Sequence, residues 1–89
     1  MNLFDTIAAI STPYGKGGVA LIRISGERAV EIAEKVFFPS NKKPLSECRS
    51  NVAYHGEIFK NLENKKIQID DGLATIFRAP RSFTGEDTV

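Results

Sequence analysis

The sequence predicts a mixed α/β (α+β) fold, in which one main helix packs against a mixed or antiparallel sheet. Short runs of β-branched and aliphatic residues recur along the chain, and clusters of glycine, proline or asparagine separate them. The clearest helical spacing of apolar residues lies between 25 and 38. The 89 residues, 42% hydrophobic and 26% charged, suit one domain with a single small core over residues 1–89.

Two predicted strands flank a glycine-rich loop in the first quarter of the chain. Residues 6–11 are short, apolar and bounded by polar residues, which favours a buried strand. Residues 12–18 hold a proline and three glycines, so we expect a shaped loop there. Residues 19–24 are predicted as the second strand. Alternation places three of its side chains on the core face: Ala20, Ile22 and Ile24.

The predicted helix follows the second strand directly. Ser25 has the residue type of an N-cap, and Val30, Ala33 and Phe37 follow the i, i+3, i+7 spacing of a buried face. Pro39 prevents the helix from continuing beyond about Phe38. The order of strand and helix predicts a split βαβ unit.

The second half of the chain predicts an antiparallel hairpin after an exposed connection over residues 39–50. Residues 52–59 and 67–77 read as its strands, with the polar segment 61–66 between them. A bulge is expected at Asp71 and Gly72, which are typical turn residues. Gly85 is expected to adopt a backbone conformation that only glycine takes easily.

Charge and cysteine content exclude several classes of function. Twelve basic residues against eleven acidic ones give a net charge of +1, too little for general nucleic-acid binding. Cys48 is the only cysteine, so no internal disulfide forms, and the composition suits a cytoplasmic protein. The first apolar run is too short for a membrane span. His55 has no partner nearby in the sequence, which favours a packed or surface histidine over a catalytic one.

Arg23 is the foremost candidate for a ligand contact. A guanidinium within an apolar strand pairs with a carboxylate, lies at an exposed edge or meets an anionic ligand. The loop formed by Gly15, Lys16, Gly17 and Gly18 leads into a strand, whereas a phosphate-binding loop leads into a helix. That loop is therefore expected to form a shaped turn or a subunit contact. Glu86 and Asp87 read as a capping or solvated turn.

The same residues carry a family resemblance. The chain resembles the N-terminal domain of the MnmE (TrmE) family of tRNA modification GTPases. The similar segments are residues 5–9, 12–13, 15–19, 21–26 and, above all, 80–87, whose sequence is Pro-Arg-Ser-Phe-Thr-Gly-Glu-Asp.

The resemblance implies a domain that forms a homodimer and binds 5-formyltetrahydrofolate or a related tetrahydrofolate. It assigns the folate contact to Arg23, with Ser25 and Glu86 as further candidates. The loop of Gly15, Lys16, Gly17 and Gly18 would shape the pocket or the dimer interface. No catalytic residue and no metal ligand is expected in this chain.

For the whole protein, the resemblance implies modification of the wobble uridine of tRNA together with MnmG, a partner that uses FAD. The G domain of that family uses GTP, Mg²⁺ and K⁺, and no G-domain motif occurs in these 89 residues. We therefore expect a fragment, incomplete at its C-terminus and inactive as a GTPase. The alternatives are a homodimerisation module without a ligand and, less favoured, a small stand-alone folate enzyme.

Overall fold

The computed structural model describes residues 5–10, 20–80 and 85–89. These residues form a mixed α/β structure, which confirms the predicted fold class. The elements in chain order are β1 (Ile7–Ile10), β2 (Ile22–Ser25), α1 (Ala29–Glu34), β3 (Phe37–Pro39), a 3₁₀ turn (Leu45–Glu47), β4 (Ala53–Leu62) and β5 (Lys65–Thr75). In this part of the chain, no helix is both long and apolar enough to cross a membrane.

The named strands form two antiparallel sheets. In the first, β1 pairs with β2, and Ile7 lies opposite Ser25. In the second, β4 lies between β3 and β5. The strands on either side of α1 therefore belong to different sheets, and the prediction of a split βαβ unit is wrong for the named strands.

The predicted hairpin is confirmed, but its connection is shorter than the predicted segment 61–66, because β4 continues to Leu62 and β5 begins at Lys65. Glu63 and Asn64 adopt φ values of 50° and 65°, as a two-residue hairpin turn requires. The bulge is at Ile69, because Ile58 lies opposite Asp70 whereas Phe59 lies opposite Gln68. The expected bulge at Asp71 and Gly72 is wrong, since both residues pair regularly with β4.

Gly56 lies directly opposite Gly72, and close packing requires a glycine at position 56. A Cβ atom on Gly56 would lie 2.5 Å from the Phe37 ring and 2.5 Å from the carbonyl oxygen of Phe38. Only glycine allows β3 and its aromatic ring to approach β4 so closely.

The helix begins later than the sequence predicts. Ser25 is the last residue of β2 and is 5% exposed, so its prediction as the N-cap is wrong. Gly26 turns the chain with a φ of 141°, and a Cβ atom there would lie 2.5 Å from Thr6 Cα. The Arg28 amide donates to Thr6 Oγ1 at 3.0 Å. The side chain of Thr6, which precedes β1, therefore anchors the backbone just before α1.

The helix also ends earlier, at Glu34, because residues 37–39 form β3 instead. Phe37 lies opposite Ile58, and the Phe59 amide donates to the Val36 carbonyl at 2.8 Å. Pairing with β4 buries the Phe37 ring, and this tertiary contact outweighs the local helical spacing. The predicted core positions Ala33 and Phe37 are confirmed.

The core is small and draws on both halves of the chain. Two of its members, Leu45 and Cys48, come from the connection that was expected to be exposed. Ile24 packs against this core, whereas Ile22 is 61% exposed, so the prediction of a core face on β2 holds only in part. The residues of β1 are exposed, which contradicts the prediction of a buried first strand. The buried cluster consists of Ala33, Phe37, Leu45, Cys48 and Ile76.

Candidate functional site: an open groove between two strands

A groove of about 370 Å³ lies between β2 and β5. Residues 21–24 line one side, and residues 73–75 with Phe77 line the other. The volume is within the range of small-molecule sites, and the lining is predominantly apolar. The remaining lining residues are Ala33, Val36, Phe37, Ile58, Thr88 and Val89.

The last two residues of the chain occupy one end of the groove. Val89 exchanges two backbone hydrogen bonds with Ile24, of 2.9 and 2.8 Å. Thr88 exchanges two with Phe77, of 2.7 and 2.9 Å. The end of the chain therefore bridges the two sheets by backbone pairing.

The turn before this bridge is held by side chains as well as by backbone. The Asp87 carboxylate accepts a hydrogen bond from the Ala79 amide at 2.8 Å, and its carbonyl accepts one from Gly26 at 3.0 Å. Arg78 donates to Ser50 Oγ at 2.8 Å and to the Ser46 carbonyl at 3.0 Å. Gly85 has a φ of 78°, which confirms the prediction for that residue.

Arg23 lies in β2, opposite Ala9 of β1, and lines the groove. Because successive strand residues alternate between faces, its side chain lies on the face opposite Ile24 and the core. A guanidinium offers several donors in one plane and suits bidentate pairing with a carboxylate. Arg23 therefore places a cation beside an apolar surface, an arrangement that suits an amphipathic anionic ligand.

The structure separates two of the other predicted site residues, Ser25 and Glu86, from the groove. Ser25 is buried and forms a bridge with Thr88, and it does not line the groove. Glu86 is half-buried, its carbonyl accepts from Thr88 Oγ1 at 3.4 Å, and it does not line the groove either. The loop of Gly15, Lys16, Gly17 and Gly18 is outside the described residues. The ligand roles of all these residues remain predictions.

A second polar cluster, which the sequence did not predict, joins Ser40, His55 and Asp71. Ser40 Oγ lies 2.7 Å from His55 Nδ1, and His55 Nε2 lies 2.9 Å from an oxygen of Asp71. The three residues are far apart in the sequence, and only the pairing of β3, β4 and β5 brings them together.

The geometry of this cluster differs from that of a catalytic triad. In a serine hydrolase, the serine contacts Nε2 and a buried aspartate contacts Nδ1. Here the two contacts are reversed, and the side chains of His55 and Asp71 are 55% and 63% exposed. The cluster fastens the end of β3 to the hairpin. Among the described residues, no group of three or more histidine, cysteine or carboxylate side chains could hold a metal ion.

We expect the substitution His55→Gln to raise the pKa of Asp71. The hydrogen bond from His55, and its positive charge when protonated, hold the pKa of that carboxyl below its ordinary value. A ¹³C NMR titration of the aspartate carboxyl groups measures the change.

Glu34 provides the control for this titration. Its pKa is also lowered, but by hydrogen bonds from Ser46, so it should titrate identically in both proteins. The lowered pKa of Asp71 stabilises the fold above its unfolded-state pKa, and this contribution disappears as pH falls through the folded-state pKa. An unchanged Asp71 titration would show that the contact with His55 does not persist in solution.

Comparison with known proteins identifies the chain. The family described as the GTP-binding protein TrmE N-terminus matches residues 6–89. The chain belongs to this family. The match includes both strands beside the groove and the terminal residues that bridge them, and it confirms the resemblance seen in the sequence.

Several curated relatives carry the name tRNA modification GTPase MnmE. The one from Listeria welshimeri is 48% identical over 86 residues, which are 97% of this chain. Relatives from Carboxydothermus hydrogenoformans and Geobacillus kaustophilus are 45% and 40% identical over 96% and 100% of the chain. The chain spans only 18% to 19% of the length of these relatives.

Proposed function

We propose that this TrmE-family chain serves as a domain of a tRNA modification GTPase, and that it binds a tetrahydrofolate derivative and mediates homodimerisation. The family match over residues 6–89 is the observation that carries the proposal. Residues 1–89 would act as one domain. The name shared by the relatives supports the role in tRNA modification.

Arg23 is the proposed anchor for the folate. The family resemblance assigns the folate contact to this residue, and its place beside the apolar groove supports the assignment. The glutamate part of 5-formyltetrahydrofolate supplies carboxylates for the guanidinium, and the pterin ring supplies a flat surface for apolar contact. The folate would lie against the face of β2 opposite α1, because strand alternation puts Arg23 on that face.

The longer protein would supply the remaining chemistry. We propose that it hydrolyses GTP with Mg²⁺ and K⁺ in a G domain, and that it modifies the wobble uridine of tRNA together with the FAD-dependent MnmG in the cytoplasm. The present chain would contribute the folate site and the dimer contact to the longer protein. By itself it would not hydrolyse GTP.

We expect Arg23→Ala to weaken the binding of 5-formyltetrahydrofolate on the order of 10- to 100-fold. A hydrogen bond to a charged group contributes about 1.5–3 kcal/mol, and tenfold in affinity corresponds to about 1.4 kcal/mol. Isothermal calorimetry measures the affinity. The control is Arg49→Ala, which removes the same charge from an exposed residue that does not line the groove. Equal affinities of the wild type and Arg23→Ala would show that Arg23 does not contact the folate.

A homodimerisation module without a ligand is the second candidate. Ile7 and Ile10 of β1 are 51% and 50% exposed, and among the described residues β1 pairs only with β2. An edge strand with exposed isoleucines can pair with a second copy. Sedimentation with and without 5-formyltetrahydrofolate separates the candidates. A dimer whose stability does not change with folate, combined with no heat of binding, favours the homodimerisation module.

A further inference from the structure

The hairpin of β4 and β5 extends beyond the rest of the second sheet. β3 pairs with β4 only as far as Ile58, and a last backbone hydrogen bond joins Phe59 to Val36. Past this point, the two strands of the hairpin pair only with each other in the part of the chain that the structure describes. Every residue from 60 to 71 is exposed. The hairpin tip, defined as residues 60–67, is therefore a two-stranded ribbon with both faces in solvent.

The positive charge of the chain is concentrated in this tip. The tip holds three lysines, Lys60, Lys65 and Lys66, against one carboxylate, Glu63, which gives it a net charge of +2. Nine basic and ten acidic side chains remain in the rest of the sequence, so the rest has a net charge of −1. The total of +1 therefore averages over a basic tip and a slightly acidic body, and only the total argues against nucleic-acid binding.

Strand pairing distributes the lysines over both faces of the tip. Lys60 lies opposite Ile67, and Lys65 lies opposite Leu62, so these four residues share one face. Lys66 lies on the other face, because it is next to Lys65 in the same strand. Leu62 and Ile67 are 51% and 40% exposed. A partner that approaches the tip from either face therefore meets an ammonium group.

The lysines of the tip are available to such a partner. Within the ranges 5–10, 20–80 and 85–89, the structure shows two ion pairs, and neither includes a lysine. No described carboxylate therefore neutralises the tip at close range. Lysine ammonium groups bind phosphate oxygens as point charges, without the planar geometry that an arginine contact requires. The tip thus presents three such charges on a support that projects from the body of the domain.

We propose that the hairpin tip is a contact surface for the phosphate backbone of RNA, with Lys60, Lys65 and Lys66 as the contacts. The choice of RNA rests on the proposed role of the longer protein in tRNA modification. Contacts to phosphate fix the position of an RNA without reading its sequence. No residue of the tip lines the groove between β2 and β5, so RNA and folate would use different surfaces of the chain.

Edge protection is the alternative role for these lysines. Charged side chains on exposed strands prevent the strands of different molecules from pairing. That role needs no bound partner, so loss of the lysines would cause aggregation and leave the affinity for RNA unchanged. Salt dependence separates the two roles, because each contact to a phosphate releases counterions and makes binding more sensitive to salt.

The test measures the affinity of the 89-residue chain for a fluorescently labelled tRNA transcript, by anisotropy, at several salt concentrations. Each phosphate contact contributes about 0.7–0.9 to the slope of log affinity against log salt concentration. With three contacts, a rise in NaCl from about 25 to 100 mM should weaken binding roughly 20- to 40-fold. The double variant Lys65→Gln/Lys66→Gln retains one contact and should lose only about threefold over the same range.

Lys42→Gln/Lys43→Gln is the matched control, because it also removes two adjacent, exposed lysines. β3 runs away from the tip between Phe37 and Pro39, and both control lysines follow it. We expect the control variant to keep the salt dependence of the wild type. Circular dichroism checks that both double variants are folded.

Calorimetry with 5-formyltetrahydrofolate distinguishes this inference from the folate proposal. The variant Lys65→Gln/Lys66→Gln should bind the folate as the wild type does, since neither lysine lines the groove. A chain that binds the folate but not the tRNA would contradict only the role of the tip. A chain that binds the tRNA through the tip but no folate would contradict only the folate proposal.

Four results of the salt titration would overturn the role of the tip. The first is no binding of the tRNA at the lower salt concentration. The second is equal salt dependence of the two double variants, which would mean that the tip contributes no more than other surface lysines. The third is equally tight binding of poly-glutamate, which would favour an acidic protein as the partner. The fourth is aggregation of the tip variant with unchanged affinity for tRNA, which would assign the lysines to edge protection.

Discussion

Leu45→Ala should lower the free energy of unfolding by about 2–5 kcal/mol, the usual cost of removing a fully buried leucine side chain. Leu45 is 0% exposed and belongs to the buried cluster with Phe37 and Ile76. A domain of this size has a total stability of roughly 4–13 kcal/mol, so the loss is a large fraction of it. Urea unfolding followed by circular dichroism measures the change.

Leu62→Ala is the control for this substitution. It removes the same atoms from the end of β4, where the side chain is 51% exposed, and should cost much less. A loss of stability in Leu45→Ala as small as the loss in Leu62→Ala would show that the 3₁₀ turn does not contribute to the core. If Leu45→Ala does not fold, Leu45→Val provides a milder version of the same cavity.

Gly56→Ala should lower the free energy of unfolding by about 3 kcal/mol, toward the upper end of the cost of overpacking. The new Cβ atom would lie 2.5 Å from Phe37 Cζ and 2.5 Å from the Phe38 carbonyl oxygen. The ring can turn, but the carbonyl belongs to the backbone of β3 and cannot move without disturbing its pairing with β4. Urea unfolding again provides the measurement.

Gly72→Ala is a closely matched control, because Gly72 lies directly opposite Gly56 in the register. A Cβ atom there would lie 3.4 Å from Ile58 Cδ1, which is an ordinary contact. We expect this variant to remain close to the wild type in stability. Equal losses in the two variants would mean that β3 does not lie as close to Gly56 as the structure shows.

The sequence predicted the type of most elements, because their signals are local. Strand β2 and the hairpin of β4 and β5 follow from β-branched residues and polar turns. Val30 and Ala33 lie on the buried side of α1, as their spacing indicated. Gly85 has the positive φ that its turn context implied. These features depend on residues a few positions apart.

The errors arise where long-range pairing decides the structure. Residues 37–39 leave the helical pattern because pairing with β4 buries Phe37. Leu45 and Cys48 are isolated apolar residues in a polar stretch, so no periodicity marks them as core. Asp71 and Gly72 have the composition of a bulge, but Gly72 instead lies opposite Gly56 in regular pairing.

The candidate site was likewise predictable where its signal is local and not where it depends on long-range pairing. Arg23 was identified from one unusual feature, a charge within an apolar strand, and the structure places it beside the groove. The groove itself could not be predicted, because it depends on how β2, β5 and the last two residues of the chain come together. The cluster of Ser40, His55 and Asp71 was missed because it depends on the register of three strands.

The central claim is that Arg23 holds a folate on the face of β2 opposite α1. An NMR titration with 5-formyltetrahydrofolate that observes the arginine side-chain Nε–H signals tests it most directly. We expect the Arg23 signal to shift in a saturable manner while the Arg49 signal stays in place. Saturable binding that leaves the Arg23 signal unchanged would show that Arg23 does not hold the folate.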